Sequence, residues 1–157
     1  MSSQKRITKE LQECTESPPT GMKIDLPSET ELNKWEVTLQ GPAGTPYAGG
    51  VYKITVTLPP EYPFKAPQVN FATRIYHPNV TNDSLGNICL GLLKPETWKP
   101  ASRVRAVLEA VRQLLVEPNP DDPLEARIAD EFQNNRPEFE KNVKSYVSRY
   151  AKASSSK

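Results

Sequence analysis

Proline is the residue that most constrains how this chain can fold, because 16 prolines stand against only seven glycines. Proline fixes its own φ and has no N–H to donate, so neither a helix nor a central strand runs through a proline cluster. The clusters separate segments of regular hydrophobic spacing and lie at 18–19, 42–46, 59–67, 95–100 and 118–123. The chain is therefore predicted to fold as short regular elements joined by stiff connections.

The segment before the first cluster has helical spacing. Ile7, Leu11 and Cys14 fall on one face, and charged residues fill most of the other positions. An amphipathic helix is predicted here, ending before Pro18. Cys14 lies on the apolar stripe, where a free cysteine is expected to be buried and to behave as a small hydrophobic residue.

Four short runs of alternating hydrophobicity follow, and each predicts a strand. They lie at 22–26, 35–40, 52–58 and 69–71, the first of them being the weakest. The loops between consecutive runs are short. This arrangement predicts an antiparallel meander with one face on a core.

Helical spacing returns in the second half of the chain. A wide apolar stripe runs from Val104 to Leu115, with Ser102 as the predicted N-cap. A shorter helix is predicted over 124–134, and a last one over 137–150 with its proline in the first turn. The residues after Tyr150 are expected to fray.

The predicted order is an N-terminal helix, a four-stranded antiparallel meander, a long loop region and then three helices, which is an α+β arrangement. At 157 residues the chain has the size of a single domain, predicted over 1–152 with a disordered tail at 153–157. About thirty residues between the last strand and the next helix lack periodicity, and irregular stretches of that length are usually functional. Cys89 lies within them.

Composition excludes several classes of function. The chain has 20 basic and 19 acidic residues, so it lacks the basic excess of a nucleic-acid-binding protein. No apolar run is long enough to span a bilayer, and the first residues do not resemble a signal peptide. A cytoplasmic or nuclear protein with two free thiols is expected. Two cysteines and one histidine are too few for a zinc site, so no metal is expected.

Cys89 is the candidate nucleophile, because it ends a polar, turn-rich loop in which a thiol is accessible. A cysteine hydrolase needs a base beside the sulfur, and His77 is the only histidine. We interpret His77 as a structural histidine that bonds to loop backbone. Asn79 either donates to a developing oxyanion or shapes a turn. Asp122 either caps the next helix or orients an incoming amine. The residues alone leave both pairs of alternatives open.

Taken together, the motifs of this chain resemble the ubiquitin-conjugating enzyme family over residues 4–150. Each motif is weak alone, but their order and spacing are highly specific. They are Lys5-Arg6-Ile7 with Lys9-Glu10-Leu11, Gly41-Pro42 with Pro46-Tyr47-Ala48-Gly49-Gly50, Tyr62-Pro63-Phe64, His77-Pro78-Asn79, Asn87-Ile88-Cys89-Leu90, Trp98 with Pro100-Ala101, and Pro118-Asn119-Pro120-Asp121-Asp122.

The resemblance implies that Cys89 accepts ubiquitin from an activating enzyme as a thioester and passes it to a substrate lysine or a ligase cysteine. Asn79 would stabilise the oxyanion or hold the active-site loop, and Asp122 would assist the attacking lysine. The residues implied to support the site are Tyr76, His77 and Asn119. A thioester must survive in water, so the lack of a strong base beside the sulfur suits a carrier.

The resemblance also implies the protein's partners. The activating enzyme would contact Lys5, Arg6 and Lys9. RING, HECT or RING-between-RING ligases would dock on a surface formed by Arg6, Phe64, Trp98, Pro100 and Ala101. A monomer is expected, with no cofactor and with no nucleic-acid or membrane partner.

Three departures from the common family pattern bear on the site. Nine residues separate Asn79 from Cys89, where seven are usual. The 94–101 loop is one residue longer than the commonest form and is similar to the branch that serves HECT and RING-between-RING ligases. Gly91 stands where many lysine-reactive members have an acidic residue, although Asp122 retains their carboxylate.

Two alternatives to ubiquitin transfer remain within the same fold. One is the same carrier chemistry with a ubiquitin-like modifier. The other is a non-catalytic binding module, which the presence of Cys89 argues against, since inactive variants characteristically lack that cysteine.

Overall fold

The computed structural model describes residues 3–152 and has the predicted α+β architecture. The helices and strands are α1 (Ser3–Glu16), β1 (Met22–Asp25), β2 (Lys34–Gln40), β3 (Val51–Thr57), β4 (Gln68–Phe71), α2 (Val104–Val116), α3 (Ala126–Asn134) and α4 (Arg136–Tyr150). A short 3₁₀ turn at Gly91–Leu93 follows Cys89. The predicted tail at 153–157 lies outside the described residues. Within 3–152, no helix has both the length and the apolarity needed to span a bilayer.

The four strands form one antiparallel sheet in the order β1-β2-β3-β4. The alternation read from the sequence is confirmed, because Trp35, Val37 and Leu39 of β2 are all fully buried. The apolar residues of β3 and the stripe of α2 join them in one hydrophobic core. Each such side chain contributes about 1.5–3 kcal/mol by leaving water. This core fixes the platform on which the irregular 72–103 segment lies.

Glu10 is the one charged side chain among the buried residues of α1. Its carboxylate accepts hydrogen bonds from Arg6 Nε at 2.5 Å, from the Tyr62 hydroxyl at 2.7 Å and from the backbone N–H of Val104 at 2.8 Å. A buried charge is tolerated when it is paired and hydrogen-bonded in this way. One carboxylate therefore joins α1, the 59–67 loop and the start of α2.

The predicted N-cap of α2 at Ser102 is wrong. The capping position is Arg103, and its side chain makes no capping bond. Because Glu10 bonds the N–H of Val104, the first residue of α2, a side chain from another helix supplies the missing acceptor. Sequence-local capping rules do not detect such a long-range partner.

The predicted strand ends agree with the structure to within one residue, but two helix ends need a correction. The third helix begins at Ala126 rather than 124, and the N–H groups of Leu124 and Glu125 before it donate to the carbonyl of Pro78. The expected fraying directly after Tyr150 is wrong for Ala151, which is buried and accepts a hydrogen bond from the N–H of Val51 at 2.8 Å. The end of α4 is thus attached to the sheet.

Candidate active site

The loop that leads to Cys89 is a closed hairpin. Val80 and Ile88 form an antiparallel bridge at its stem. The N–H of Thr81 donates to the carbonyl of Asn87 at 2.9 Å, and the N–H of Asn87 donates to Thr81 Oγ1 at 2.8 Å. The N–H of Cys89 donates to the carbonyl of Asn79 at 2.8 Å. The sulfur therefore lies directly beyond a fixed stem.

The hairpin tip is organised by Asp83. Its Oδ1 accepts hydrogen bonds from Thr81 Oγ1 at 2.9 Å, from the N–H of Leu85 at 2.9 Å and from the N–H of Gly86 at 3.1 Å. The bond from Thr81 is the largest of the effects that lower the pKa of Asp83. The lengthened loop is thus an ordered turn, and its shape follows from one carboxylate with three donors.

Gly86 fixes how the hairpin lies against β4. Its φ is +58°, and its carbonyl accepts a hydrogen bond from the N–H of Phe71 at 2.9 Å. A Cβ at this position would lie 2.0 Å from the carbonyl oxygen of Phe71. Glycine is therefore required here both for the left-handed backbone and for the close approach to the strand.

His77 is fully buried behind the site. Its Nδ1 accepts the N–H of Asn79 at 2.9 Å, so its Nε2 carries the proton and donates to the carbonyl of Leu114 at 2.8 Å. Burial lowers the pKa of His77 to about 4, and the imidazole is neutral at physiological pH. Neither ring nitrogen is free to act as a base toward Cys89.

The side-chain amide of Asn79 is also buried and is fully engaged with backbone. Its Nδ2 donates to the carbonyls of Asn119 and Asp122, at 2.8 and 3.1 Å, and its Oδ1 accepts the N–H of Asn119 at 2.9 Å. Both amide protons therefore point at the 119–122 loop. Of the two roles that the resemblance implied, this geometry matches holding the active-site loop, with no amide donor directed at the sulfur.

Asp122 is brought beside Cys89 from the other side of the site. The thiol Sγ donates to Asp122 Oδ2 at 3.3 Å. Asp122 caps nothing, because the N-cap position of α3 is Glu125 and has no side-chain capping bond. The capping interpretation of Asp122 is therefore wrong, and the alternative, a carboxylate next to the nucleophile, matches the geometry.

Lys94 is the site residue that sequence reasoning missed. Its Nζ lies 2.9 Å from the same oxygen of Asp122 that contacts Cys89. No local pattern connects a lysine in the 94–101 loop with an aspartate far along the chain. The three side chains form a row of thiol, carboxylate and ammonium.

Electrostatics keep the thiol protonated. Partial burial is the largest effect raising the pKa of Cys89, the hydrogen bond and charge of Asp122 raise it further, and Lys94 lowers it. The pKa of Asp122 is lowered, first by its bond to Lys94. At neutral pH the resting site is thus a neutral thiol beside an ionised carboxylate.

The residues implied to support the site divide into two groups. Asn119 contacts Asn79 through its backbone, and its Oδ1 accepts the N–H of Asp121, so it belongs to the loop beside the sulfur. Tyr76 lies elsewhere, because its hydroxyl donates to Glu131 Oε1 at 2.7 Å between α3 and α4. Tyr76 thus braces α3 and α4, and none of its hydrogen bonds within residues 3–152 reaches Cys89.

Phe64, Pro100 and Ala101 are exposed, and 77% of Phe64 is accessible. Trp98 is not, because it is buried and its indole N–H donates to the carbonyl of Pro63 at 2.8 Å. Trp98 thus joins the 59–67 and 98–101 loops beneath the exposed residues. Of these four residues of the implied ligase surface, three are therefore accessible, and the buried Trp98 supports them from below.

Arg6 differs from its basic neighbours on α1. Its guanidinium lies over the Tyr62 ring, bonds Glu10 and donates to the carbonyl of Ser102 at 2.7 Å. Only 21% of its side chain is exposed. Lys5 and Lys9 are exposed. Arg6 therefore braces the 59–67 loop and the segment that leads into α2.

The other cysteine has no access to solvent. Cys14 is 2% exposed, and burial raises its pKa. Both cysteines are free thiols. Within residues 3–152, no group of three or more His, Cys, Asp or Glu side chains is placed to hold a metal ion.

Comparison with known proteins agrees with the fold. The sequence profile of the family described as "Ubiquitin-conjugating enzyme" matches residues 6–147. The chain is also 45% identical over 152 residues to "Ubiquitin-conjugating enzyme E2 14" of Schizosaccharomyces pombe (strain 972), an alignment that covers 97% of this chain and 96% of that relative. This chain therefore belongs to the ubiquitin-conjugating enzyme family, transferases that take ubiquitin from an activating enzyme as a cysteine thioester and deliver it with a ligase.

Proposed function

We propose that Cys89 is the residue that carries ubiquitin. Two observations support it. Cys14 is packed in the core, whereas Cys89 is partly accessible and follows a hydrogen-bonded hairpin stem. The observation that carries the proposal is the 3.3 Å contact between Cys89 Sγ and Asp122, which puts the thiol beside a carboxylate suited to an incoming amine.

We propose that the enzyme delivers ubiquitin to lysine once Cys89 carries ubiquitin as a thioester, a state that we call the charged enzyme. The lysine amine attacks the thioester carbonyl, the C–N bond forms, and the C–S bond breaks with the sulfur leaving as thiolate. The thiolate is then reprotonated, and the proton lost by the amine passes to solvent. Asp122 would hold the ammonium form of the acceptor next to the thioester and so raise its local concentration. The ammonium then loses one proton to solvent, and the resulting amine attacks.

The same residues account for the lifetime of the thioester. A general base beside the sulfur would activate water and hydrolyse the intermediate. His77, the one histidine, is neutral and engaged at both nitrogens, and Asp122 has a lowered pKa and is a poor base. Asn79 would act by fixing the loop that carries Asp122 rather than through its own amide protons.

Ligase docking is proposed at Phe64, Pro100 and Ala101. An exposed aromatic side chain next to accessible proline and alanine is a typical interface anchor. RING, HECT and RING-between-RING ligases are all candidates, and the length of the 94–101 loop favours the last two. The activating enzyme is proposed to contact α1 at Lys5 and Lys9, with Arg6 bracing the adjacent loops. We further propose a monomer in the cytoplasm or nucleus.

A charging assay tests the central proposal. The protein is incubated with activating enzyme, ATP and ubiquitin, and the products are separated on a non-reducing gel. The wild type should give an adduct that dithiothreitol removes, Cys89→Ser should give one that dithiothreitol leaves intact, and Cys89→Ala should give none. Cys14→Ala is the matched control and should charge normally. A Cys89→Ala variant that still forms the dithiothreitol-sensitive adduct overturns the proposal.

Free amino acids then separate the two delivery routes. Charged protein is isolated from ATP and mixed with lysine or with cysteine. Discharge by both supports the lysine route. If cysteine alone removes ubiquitin, the proposed role of Asp122 is wrong and the enzyme delivers only to ligase cysteines.

A further inference from the structure

The carboxylate proposed to receive the acceptor lysine already has an occupant. Asp122 Oδ2 lies 3.3 Å from Cys89 Sγ and 2.9 Å from Lys94 Nζ. The occupant is a primary ammonium on a flexible four-carbon stem, which is the chemical group of the acceptor itself. A substrate lysine that approaches Cys89 through the same oxygen of Asp122 must therefore displace Lys94.

The backbone on both sides of this pair is held in place. The N–H of Lys94 donates to the carbonyl of Gly91 at 3.1 Å, and the Lys94 carbonyl accepts the N–H groups of Thr97 and Trp98 at 2.9 and 2.8 Å. The carbonyl of Asp122 is held by Asn79. The two side chains thus start from fixed positions within reach of each other, and their meeting does not depend on a mobile loop.

Resting on the proposed lysine transfer at Asp122, we propose that Lys94 is a specificity-determining residue that occupies the acceptor subsite of the charged enzyme. It restricts discharge by lysines that are not positioned by a ligase. The pair is partly exposed, with 43% of the Lys94 side chain and 54% of the Asp122 side chain accessible. A pair this exposed shifts an equilibrium by a factor of only about two to five.

A competitor as weak as Lys94 slows some acceptor lysines more than others. A substrate lysine held by a ligase has a high effective concentration and displaces Lys94 readily. A free lysine meets the full two- to fivefold disadvantage. The hydrogen bond to Asp122 is the largest effect that raises the pKa of Lys94, so the ammonium stays charged at neutral pH and remains a competitor for the carboxylate.

The test measures discharge of pre-charged protein. Wild type, Lys94→Gln, Lys94→Arg and Lys99→Gln are charged with ubiquitin, ATP is removed, and loss of the thioester is followed at several concentrations of free lysine. Loss without added amine is subtracted. Parallel reactions use hydroxylamine, which is uncharged at neutral pH and has no ammonium to place on Asp122.

Lys94→Gln is expected to raise the ratio of the second-order rate constants for lysine and hydroxylamine by about two to five, in line with the strength of an exposed ion pair. Lys94→Arg keeps a positively charged partner for Asp122 and should have the same ratio as the wild type. Lys99→Gln removes the same charge from an exposed position in the same loop and should leave the ratio unchanged. An unchanged or lower ratio in Lys94→Gln overturns the inference.

Asp122→Asn distinguishes this inference from the function on which it rests. If Asp122→Asn discharges to lysine as fast as the wild type, the proposed role of Asp122 itself is wrong. If Asp122→Asn is slower but Lys94→Gln has the wild-type ratio, only the inference about Lys94 fails. In the Asp122→Asn background, Lys94→Gln should have no further effect, because the competition needs the carboxylate.

Discussion

The side-chain amide of Asn79 donates a 3.1 Å hydrogen bond to the backbone carbonyl of Asp122, and thereby ties the segment before Cys89 to the loop that faces it. The two residues are 43 positions apart in the chain. Because the bond is to backbone, it fixes the position of residue 122 whatever side chain stands there. The placement of the Asp122 carboxylate beside the sulfur depends on it.

Replacing Asn79 by alanine should therefore destabilise the protein and slow discharge to lysine. Three backbone groups lose their partners, and leaving a buried polar group unsatisfied costs about 1–3 kcal/mol. Urea unfolding measures the stability, and a single-turnover lysine assay measures the discharge. Discharge to hydroxylamine should fall less, because it does not use Asp122. Equal losses with both nucleophiles would contradict the proposed positioning role.

Asp122→Asn should slow lysine discharge by about two- to fivefold, because an exposed carboxylate that holds the acceptor by an ion pair contributes no more than that. The substitution keeps the size of the side chain and removes its charge. Asp121→Asn is the matched control, since it neutralises the adjacent exposed carboxylate, and discharge should be close to wild type. Because the pKa of Asp122 is lowered, the carboxylate stays ionised at neutral pH, so the rise of the wild-type rate with pH should follow the acceptor amine.

The pKa of Cys89 should respond to its two neighbours in opposite directions. Asp122→Asn removes a hydrogen bond and a charge that raise the pKa, so the apparent pKa should fall; Lys94→Gln removes a charge that lowers it, so the apparent pKa should rise. The rate of Cys89 alkylation by iodoacetamide as a function of pH measures both. If the apparent pKa of Cys89 shifts in the same direction in both variants, the charges of Asp122 and Lys94 do not set it.

His77 should make the stability of the fold depend on pH. Its folded pKa of about 4 lies below its ordinary value of 6.5, so the unfolded chain binds a proton that the folded chain does not. The contribution of His77 is fully present above pH 6.5 and is lost as the pH falls toward 4, with a slope of up to about 1.4 kcal/mol per pH unit. His77→Gln should be less stable at pH 7 and should lack this part of the slope in urea unfolding. An identical slope in both proteins would contradict the buried neutral imidazole.

Much of the fold could be predicted because it rests on local periodicity. The alternation of β2 and the stripe of α2 are both found buried as expected. Cys14 and Cys89 were also separated correctly into a buried and an accessible thiol. The errors concern backbone groups whose partners are distant in the sequence. The cap of α2 is supplied by Glu10, and the N–H groups just before α3 donate to the carbonyl of Pro78.

The site itself was only partly predictable. The motif containing Cys89 predicts the nucleophile. For Asp122 the sequence leaves two roles open, a helix cap or a carboxylate that orients an incoming amine. The pairing of Asp122 with Lys94, and the use of both Asn79 amide protons on backbone, depend on loops that meet across the site. Neither relationship has a fixed spacing in the sequence.

The elements, their order, the buried faces and the family can all be predicted from the sequence, because hydrophobic periods, proline positions and ordered motifs are local or collinear properties. The tertiary structure alone decided which polar groups face one another: a buried carboxylate that joins a helix, a loop and another helix, and a thiol, carboxylate and ammonium in a row. Hydrogen bonds and ion pairs act over about 3 Å. Once the chain has folded, residues separated by dozens of positions come within that distance, and the contacts they make determine their protonation and reactivity.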